Sequence, residues 1–130
     1  MELGQGFAFI GRQVHLELGN EDFYIDLLFY HTKLRCYVVV ELKVCEFQPG
    51  FIGQLNMYQN VVNDVMKHAD DNPTIGLLLV KGKEKTVVEY SLAGVHNPIG
   101  VADWQDHLVK KLPEELSSSL PTVEEIEQKS

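Results

Sequence analysis

Two apolar segments separated by four residues constrain the fold of this chain most. Residues 22–30 and 35–44 are rich in β-branched and aromatic side chains, and residues 31–34 lie between them. Runs of this composition on either side of a short turn are typical of strands that pair in a hairpin. The sequence therefore predicts two neighbouring strands, and the other elements must be arranged around them.

Both strands carry charged residues within their apolar runs. Asp26 lies in the first strand, and Glu41 and Lys43 lie near the end of the second. Charged side chains are costly to bury unless something pairs with them. A turn centred between residues 33 and 34 places Asp26 opposite Glu41, with their Cβ atoms about 4.5–5.5 Å apart. Alternation along the strand places Lys43 on the same face.

This grouping of charges predicts a divalent-metal site suited to phosphodiester hydrolysis. Two facing carboxylates repel each other, and a hard cation such as Mg²⁺ or Mn²⁺ resolves the repulsion because it prefers oxygen ligands. Lys43 would orient or deprotonate the attacking water, or stabilise the charge that develops on the phosphate. The alternative is an ordinary cross-strand acid–lysine pair on a solvated face. The opposite face, with Phe23, Ile25 and Leu27, is apolar and is predicted to be core.

The remaining segments predict a single α/β or α+β domain built on a mixed sheet. Pro49-Gly50 breaks the sheet, and apolar residues then recur at helical spacing to about Ala69. Further strands are predicted over residues 7–18, 75–80 and 86–92, with a short edge strand within 97–102. We expect a domain over residues 1–112 and an acidic tail over 113–130, partly helical or disordered.

Composition limits the functions to be considered. The net charge of −8 argues against a protein that simply coats DNA, but less against a metal-dependent nuclease whose acids bind cations. No apolar run is long enough to cross a bilayer, so no membrane partner is expected. The two cysteines are expected to be free thiols in a reducing cytoplasm.

The segment from Asp26 to Glu41-Leu42-Lys43 resembles the Asp…(Asp/Glu)-X-Lys core of the PD-(D/E)XK nuclease superfamily, which has the restriction-endonuclease-like fold. Gln54-Leu55-Asn56-Met57-Tyr58 is similar to the Gln-X-X-X-Tyr motif of its RecB-like branch. The resemblance implies that Asp26, Glu41 and the Leu42 carbonyl bind Mg²⁺ or Mn²⁺. It also implies catalytic roles for Lys43 and Gln54 and a substrate contact for Tyr58. Core packing is the alternative role of Tyr58.

Longer segments are similar to the C-terminal domain of the YhcG-like bacterial family, whose members are regarded as nucleases. They are residues 6–13, 22–31 and 85–90. This resemblance implies hydrolysis of nucleic acid, DNA rather than RNA, in restriction or DNA processing, and it allows a homodimer. The N-terminal core helix of the fold is expected to be reduced or missing. Glu2 then stands where that helix would carry an accessory acid.

Several other residues have two interpretations. Arg12, Gln13 and Arg35 either bind substrate phosphates or are ordinary strand residues in water. The basic run at Lys81, Lys83 and Lys85 either contacts phosphate or forms an ordinary turn. A second hypothesis for the whole chain is a catalytically inactive nuclease fold that serves as a nucleic-acid-binding or partner-docking module. Metal binding at Asp26 and Glu41 would distinguish the two hypotheses.

Overall fold

The computed structural model describes residues 6–103, which form a five-stranded mixed sheet with two helices. The strands follow one another in the sheet in the order in which they occur in the chain. The first three are antiparallel, and the third, fourth and fifth are parallel. The elements are β1 Phe7–Leu18, β2 Glu21–His31, β3 Cys36–Leu42, α1 Gly50–Val65, β4 Ile75–Val80, α2 Lys85–Leu92 and β5 Ile99–Asp103. The predicted mixed sheet with flanking helices is confirmed.

The β2–β3 hairpin has the predicted register. Leu27 pairs with Val40, and His31 pairs with Cys36 next to the turn. The β2–β3 ladder ends at Leu27, whereas β2 continues back to Glu21 in its pairing with β1. The two strands therefore separate at Asp26, which leaves room for side-chain contacts in place of ladder hydrogen bonds.

Both faces of the sheet are buried. The predicted apolar core face with Leu27 is confirmed, and the opposite face, which the alternative interpretation left solvated, packs against the helices. The helix-side cluster joins sheet residues such as Leu28, Val39 and Leu78 to apolar residues of both helices. The back cluster lies on the opposite face, and none of its members is more than 5% exposed. Within residues 6–103, no helix contributes to this back cluster, which consists of Leu27, Phe29, Cys36, Val38, Val40, Leu42, Leu77 and Leu79.

The assignment of Phe23 and Ile25 to the same face as Leu27 is wrong. Both residues pack in the helix-side cluster together with Leu28. Strict alternation would put Ile25 and Leu28 on opposite faces, so β2 changes face at Asp26. The β1 strand is irregular at the same level, because the ladder includes Arg12–Leu27 and Val14–Ile25 but skips the position between them.

Residues 86–92, predicted as a strand, lie in the helix α2. Their β-branched residues favour a strand locally, but β4 is parallel to both of its neighbours, β3 and β5. A parallel neighbour requires a crossover connection, usually a helix. The burial pattern is helical, because Val88 is buried and Tyr90, which a strand would bury on the same face, is 79% exposed. Tertiary context therefore decides the conformation of this segment.

Helix α1 ends at Val65, four residues before the predicted end. The main-chain N–H of His68 donates to the Asp71 carboxylate at 2.9 Å, and the N–H of Asp70 donates to the His68 ring at 3.1 Å. Side-chain acceptors of this kind compete with the next helical turn for main-chain donors. They account for the early end of α1.

Two further predictions lie outside the described residues. The acidic tail over 113–130 is one, and the reduced N-terminal helix with Glu2 is the other; both stay predictions. Within residues 6–103, neither helix combines the length and apolar character that a membrane crossing requires.

Candidate metal and nucleic-acid site

The predicted acids meet where β2 and β3 separate. The main-chain N–H of Asp26 donates to Glu41 Oε1 at 3.2 Å, and the N–H of Leu42 donates to Asp26 Oδ2 at 2.9 Å. Side-chain carboxylates thus accept donors that would otherwise belong to the strand ladder. Asp26, Glu41 and the main chain of Leu42 are brought together as the sequence predicted.

Glu41 is a buried acid, only 4% exposed. Burial raises its pKa well above the usual range, and the nearby charge of Asp26 raises it further. The hydrogen bond from the Asp26 main chain and the charge of Lys43 act in the opposite direction but are weaker. An ionised carboxylate in this position is stabilised by a cation, which the two carboxylates are placed to share.

Lys43 and Gln54 meet on the side of the acids that faces helix α1. Lys43 Nζ donates to Gln54 Oε1 at 3.3 Å and lies 4.9 Å from the centre of the Phe51 ring. Phe51 and Gln54 belong to the first turns of α1, which begins eight residues after β3 ends. The lysine is therefore held by one hydrogen bond and by a cation–π contact.

Tyr58 follows Gln54 by one turn on α1 but is only 3% exposed. Its ring packs against Phe23 in a T-shaped contact with centroids 6.2 Å apart. Burial raises the pKa of Tyr58 to about 12, and the charges of Glu41 and Asp26 also contribute. In this structure Tyr58 is part of the core beneath the acids, as the alternative interpretation held.

The candidate phosphate contacts separate into two groups. Gln13 Nε2 donates to Asp26 Oδ1 at 3.2 Å, so this residue joins the acids. Arg12 lies beside it on β1 and is exposed. Arg35 lies at the turn of the β2–β3 hairpin, six residues from Glu41, which is about 20 Å along an extended strand. Arg35 is therefore not brought to the acids.

The basic segment that begins at Lys81 follows the C-terminal end of β4, next to the C-terminal end of β3, where Lys43 lies. Strand β4 is parallel to β3, and the pairing continues beyond both strands, because Lys81 N–H donates to the Cys45 carbonyl at 3.0 Å. The Gly82 carbonyl accepts from Phe47 N–H at 2.8 Å. The segment with Lys81 and Lys83 therefore runs beside the segment that connects Lys43 to α1, whereas Lys85, predicted to belong to the same turn, is the first residue of α2.

Two carboxylates and main-chain oxygens are the metal ligands that this part of the chain offers. Among the described residues, no group of three or more His, Cys, Asp or Glu side chains is arranged to hold a metal ion. Mg²⁺ commonly takes one or two carboxylates and completes its shell with water and substrate phosphate. Asp26 and Glu41 fit this requirement.

One contact of the site was not predicted from the sequence, namely that between Gln13 and Asp26. A signal for it was present. A hairpin centred between Gly19 and Asn20 places residue 13 opposite residue 26, and the observed pairing of Leu18 with Glu21 has that centre.

Comparison with known proteins agrees with this geometry. Residues 1–121 match the family described as the YhcG PDDEXK nuclease domain. The chain belongs to this family. The Escherichia coli (strain K12) protein named "Putative nuclease YhcG" is 39% identical over 127 residues, which are 96% of this chain and 34% of that protein. The chain thus spans about a third of that YhcG relative.

Two solved structures share the fold of this YhcG-type domain. The one described as "Structure of EndoMS-dsDNA2 complex" matches with a TM-score of 0.51 and 15% identity, over 78% of this chain and 38% of that one. A repair endonuclease from Pyrococcus abyssi matches with a TM-score of 0.50 and 14% identity, over 76% of this chain and 39% of that one. The restriction-endonuclease-like fold predicted from the sequence is confirmed.

Proposed function

We propose that this domain is a metal-dependent nuclease that hydrolyses phosphodiester bonds in nucleic acid, with DNA as its substrate. Membership of a nuclease-domain family supports the reaction class. The observation that carries the proposal is the contact between Asp26 and the buried Glu41 at the point where two strands separate. The repulsion between two acids is unfavourable there, and a divalent metal with a phosphate ligand would remove that cost.

Each residue of the site has a role in this proposal. Asp26, Glu41 and the Leu42 carbonyl hold the metal, which when bound polarises the scissile phosphate and lowers the pKa of water. Lys43 contacts the attacking water, helps remove its proton, and stabilises the charge that develops on the phosphate oxygens. Gln54 fixes Lys43 through its side-chain oxygen and offers its amide N–H to a phosphate oxygen.

Double-stranded DNA is the first substrate to test. One structural neighbour is a complex with double-stranded DNA, and the YhcG-like resemblance points to restriction or DNA processing. Such folds commonly act as dimers, so we propose a homodimer as the working assembly on duplex DNA. The chain is strongly acidic overall, so binding should depend on the metal and on local cations rather than on net charge.

The test is cleavage of labelled single- and double-stranded DNA and RNA, with Mg²⁺ or Mn²⁺ and with chelator. We expect metal-dependent cleavage, reduced at least about 100-fold in Lys43→Ala, since a general acid–base group contributes that much or more. Lys67→Ala is the matched control, because it makes the same change in the segment after α1 and away from the acids. It should cleave like the parent protein. Cleavage in chelator, or undiminished cleavage by Lys43→Ala, would contradict the proposed mechanism.

The same experiment tests the alternative of an inactive module. A protein that binds nucleic acid but neither binds Mn²⁺ nor cleaves any of the four substrates would favour that alternative. A protein that binds neither Mn²⁺ nor nucleic acid, and loses stability when Asp26 or Glu41 is replaced, would favour purely structural acids.

A further inference from the structure

Gln13 has an unusual backbone conformation for a residue within a strand. Its φ angle is +49°, in the left-handed region that residues with a side chain seldom adopt. The conformation occurs at the level of Asp26, where the β1–β2 ladder skips one pair and β2 changes face. Strained conformations of this kind persist where the surrounding structure fixes them, and they cluster at functional sites.

The Gln13 side chain forms a hydrogen bond with one carboxylate oxygen of Asp26. Its Nε2 donates to Asp26 Oδ1 at 3.2 Å, while Leu42 N–H donates to Oδ2 at 2.9 Å. Because an ionised carboxylate only accepts hydrogen bonds, the side-chain amide of Gln13 is oriented with its nitrogen, not its oxygen, toward Asp26. The carboxylate is therefore held from β1 on one side and from β3 on the other.

We infer that Gln13 is a positioning residue that orients Asp26 as a metal ligand, rather than a residue that binds substrate phosphate. This inference rests on the proposed function. Residues that hydrogen-bond to a metal ligand fix its orientation, and their loss typically reduces metal affinity or activity about 10–100-fold. Gln13 is exposed and contributes little packing, so its effect should appear in metal binding and not in folding.

The experiment is titration of Mn²⁺ into protein without nucleic acid, by calorimetry, for the parent and for Gln13→Asn. Asparagine tolerates a positive φ and keeps the amide, but it is one methylene shorter and fails to reach Asp26. We expect Mn²⁺ to bind about 10–100-fold more weakly, with an unchanged melting temperature in chelator. Gln13→Gly is the second variant, because it relaxes the backbone and removes the amide; it should weaken Mn²⁺ binding equally.

The outcomes separate this inference from the proposed function. An unchanged Mn²⁺ affinity in both variants would overturn the inference, even if the parent protein cleaves DNA. An affinity that falls only in proportion to lost thermal stability would also overturn it. A parent protein that binds no Mn²⁺ would overturn both. Weaker Mn²⁺ binding in both variants, from a parent that binds the metal but cleaves nothing, would support the inference and reject the nuclease.

Discussion

At the scale of single residues, the site contains two features that cost free energy unless other contacts compensate for them. Glu41 is buried beside a second acid, and Gln13 holds a left-handed backbone that costs roughly 1–2 kcal/mol. Such costs persist where other contacts exceed them, and here those contacts converge on Asp26. Of these two costs, the repulsion between Asp26 and Glu41 is the one that the proposed cation would remove.

Removing the buried charge tests this interpretation directly. Glu41→Gln keeps an oxygen that accepts the hydrogen bond from Asp26 N–H but removes the repulsion between two acids. In chelator at neutral pH, we expect the variant to melt at a higher temperature than the parent protein. With Mn²⁺ at about 100 times its dissociation constant, the parent should gain about 2.7 kcal/mol and the variant much less.

Differential scanning fluorimetry with and without Mn²⁺ makes this measurement. Glu17→Gln, an exposed acid on β1, is the control and should respond to Mn²⁺ like the parent protein. A Glu41→Gln protein that is less stable in chelator would mean that the Glu41 charge is stabilised by groups other than a metal.

At the scale of elements, buried polar contacts fix helix α1 on the sheet. Gln59 is fully buried, and its Nε2 donates to the main-chain carbonyls of Thr74 and Pro98, at 2.9 Å each. Those carbonyls lie just before β4 and β5, so one side chain joins the helix to the starts of both parallel strands. The contact positions α1, which carries Gln54 nearer its other end.

Glycine 76 provides a test of this packing. A Cβ atom on Gly76 would lie 2.6 Å from Gln59 Oε1 and 2.9 Å from Leu55 Cγ. Overpacking of this kind typically costs about 1–3 kcal/mol, so we expect Gly76→Ala to destabilise by that amount. In Gly53→Ala the new Cβ meets no atom within 4 Å, and the helix should gain roughly 0.5–1 kcal/mol. Urea unfolding of both variants measures the two opposite effects.

A second contact joins β2 to the segment after α1. Tyr30 Oη donates to Asp71 Oδ1 at 2.6 Å, and this bond, with the N–H of His68, holds the pKa of Asp71 below its usual range. A carboxyl group with a lowered pKa stabilises the fold at pH values above its unfolded pKa, and the contribution is lost as the pH falls through the folded pKa.

We therefore expect Tyr30→Phe to lower stability at neutral pH, with a difference from the parent protein that shrinks below the ordinary pKa of aspartate. Thermal unfolding between neutral and strongly acidic pH makes the comparison. In an Asp71→Asn background, the effect of Tyr30→Phe should no longer vary with pH. A difference that grows on acidification would contradict this account.

The sequence predicted most elements because their signals are local. The alternating runs, the Gly19-Asn20 turn and the Pro49-Gly50 break each depend on neighbouring residues, and the hairpin register followed from the turn at residues 31–34. Helix α2 was missed because its conformation depends on β4 being parallel to both neighbours, a long-range property. The Gln13–Asp26 contact was missed although the Gly19-Asn20 turn places residue 13 opposite residue 26, because the side-chain hydrogen bond depends on the positive φ of Gln13, which periodicity does not reveal.

At the scale of the whole molecule, the two clusters are joined through the same strands. Val38 and Val40 face the back cluster, while Val39 between them faces the helices. Damage to either cluster should therefore affect one cooperative transition. We expect Leu55→Ala and Leu79→Ala each to cost about 2–5 kcal/mol, since both side chains are almost fully buried.

Urea unfolding followed by fluorescence and by circular dichroism tests this expectation. Val65→Ala, where the side chain is 63% exposed, is the control and should stay within about 0.5 kcal/mol of the parent protein. Two separate transitions in either leucine variant would show that the clusters unfold independently.

The positions of the lysine side chains on the molecule predict how DNA binding depends on salt. Three lysines follow the C-terminal end of β4, close to the end of β3 where Lys43 lies; they are Lys81, Lys83 and Lys85. If the proposed nuclease contacts duplex DNA there, Lys83→Ala should weaken binding and lower the salt dependence of log K by about 0.9 for one lost phosphate contact. Lys67→Ala makes the same charge change elsewhere and should leave that slope unaltered. Fluorescence anisotropy in Ca²⁺ over a range of salt concentrations measures both variants.

Strand order that follows chain order affects how the domain is assembled during synthesis. The acidic site uses residues between Gln13 and Gln54 only, so its parts have all left the ribosome well before β4 and β5. Closing short loops costs little chain entropy, and such contacts form early in folding. The proposed site is thus synthesised before β4, which pairs with β3, so its scaffold is completed only when the later strands emerge.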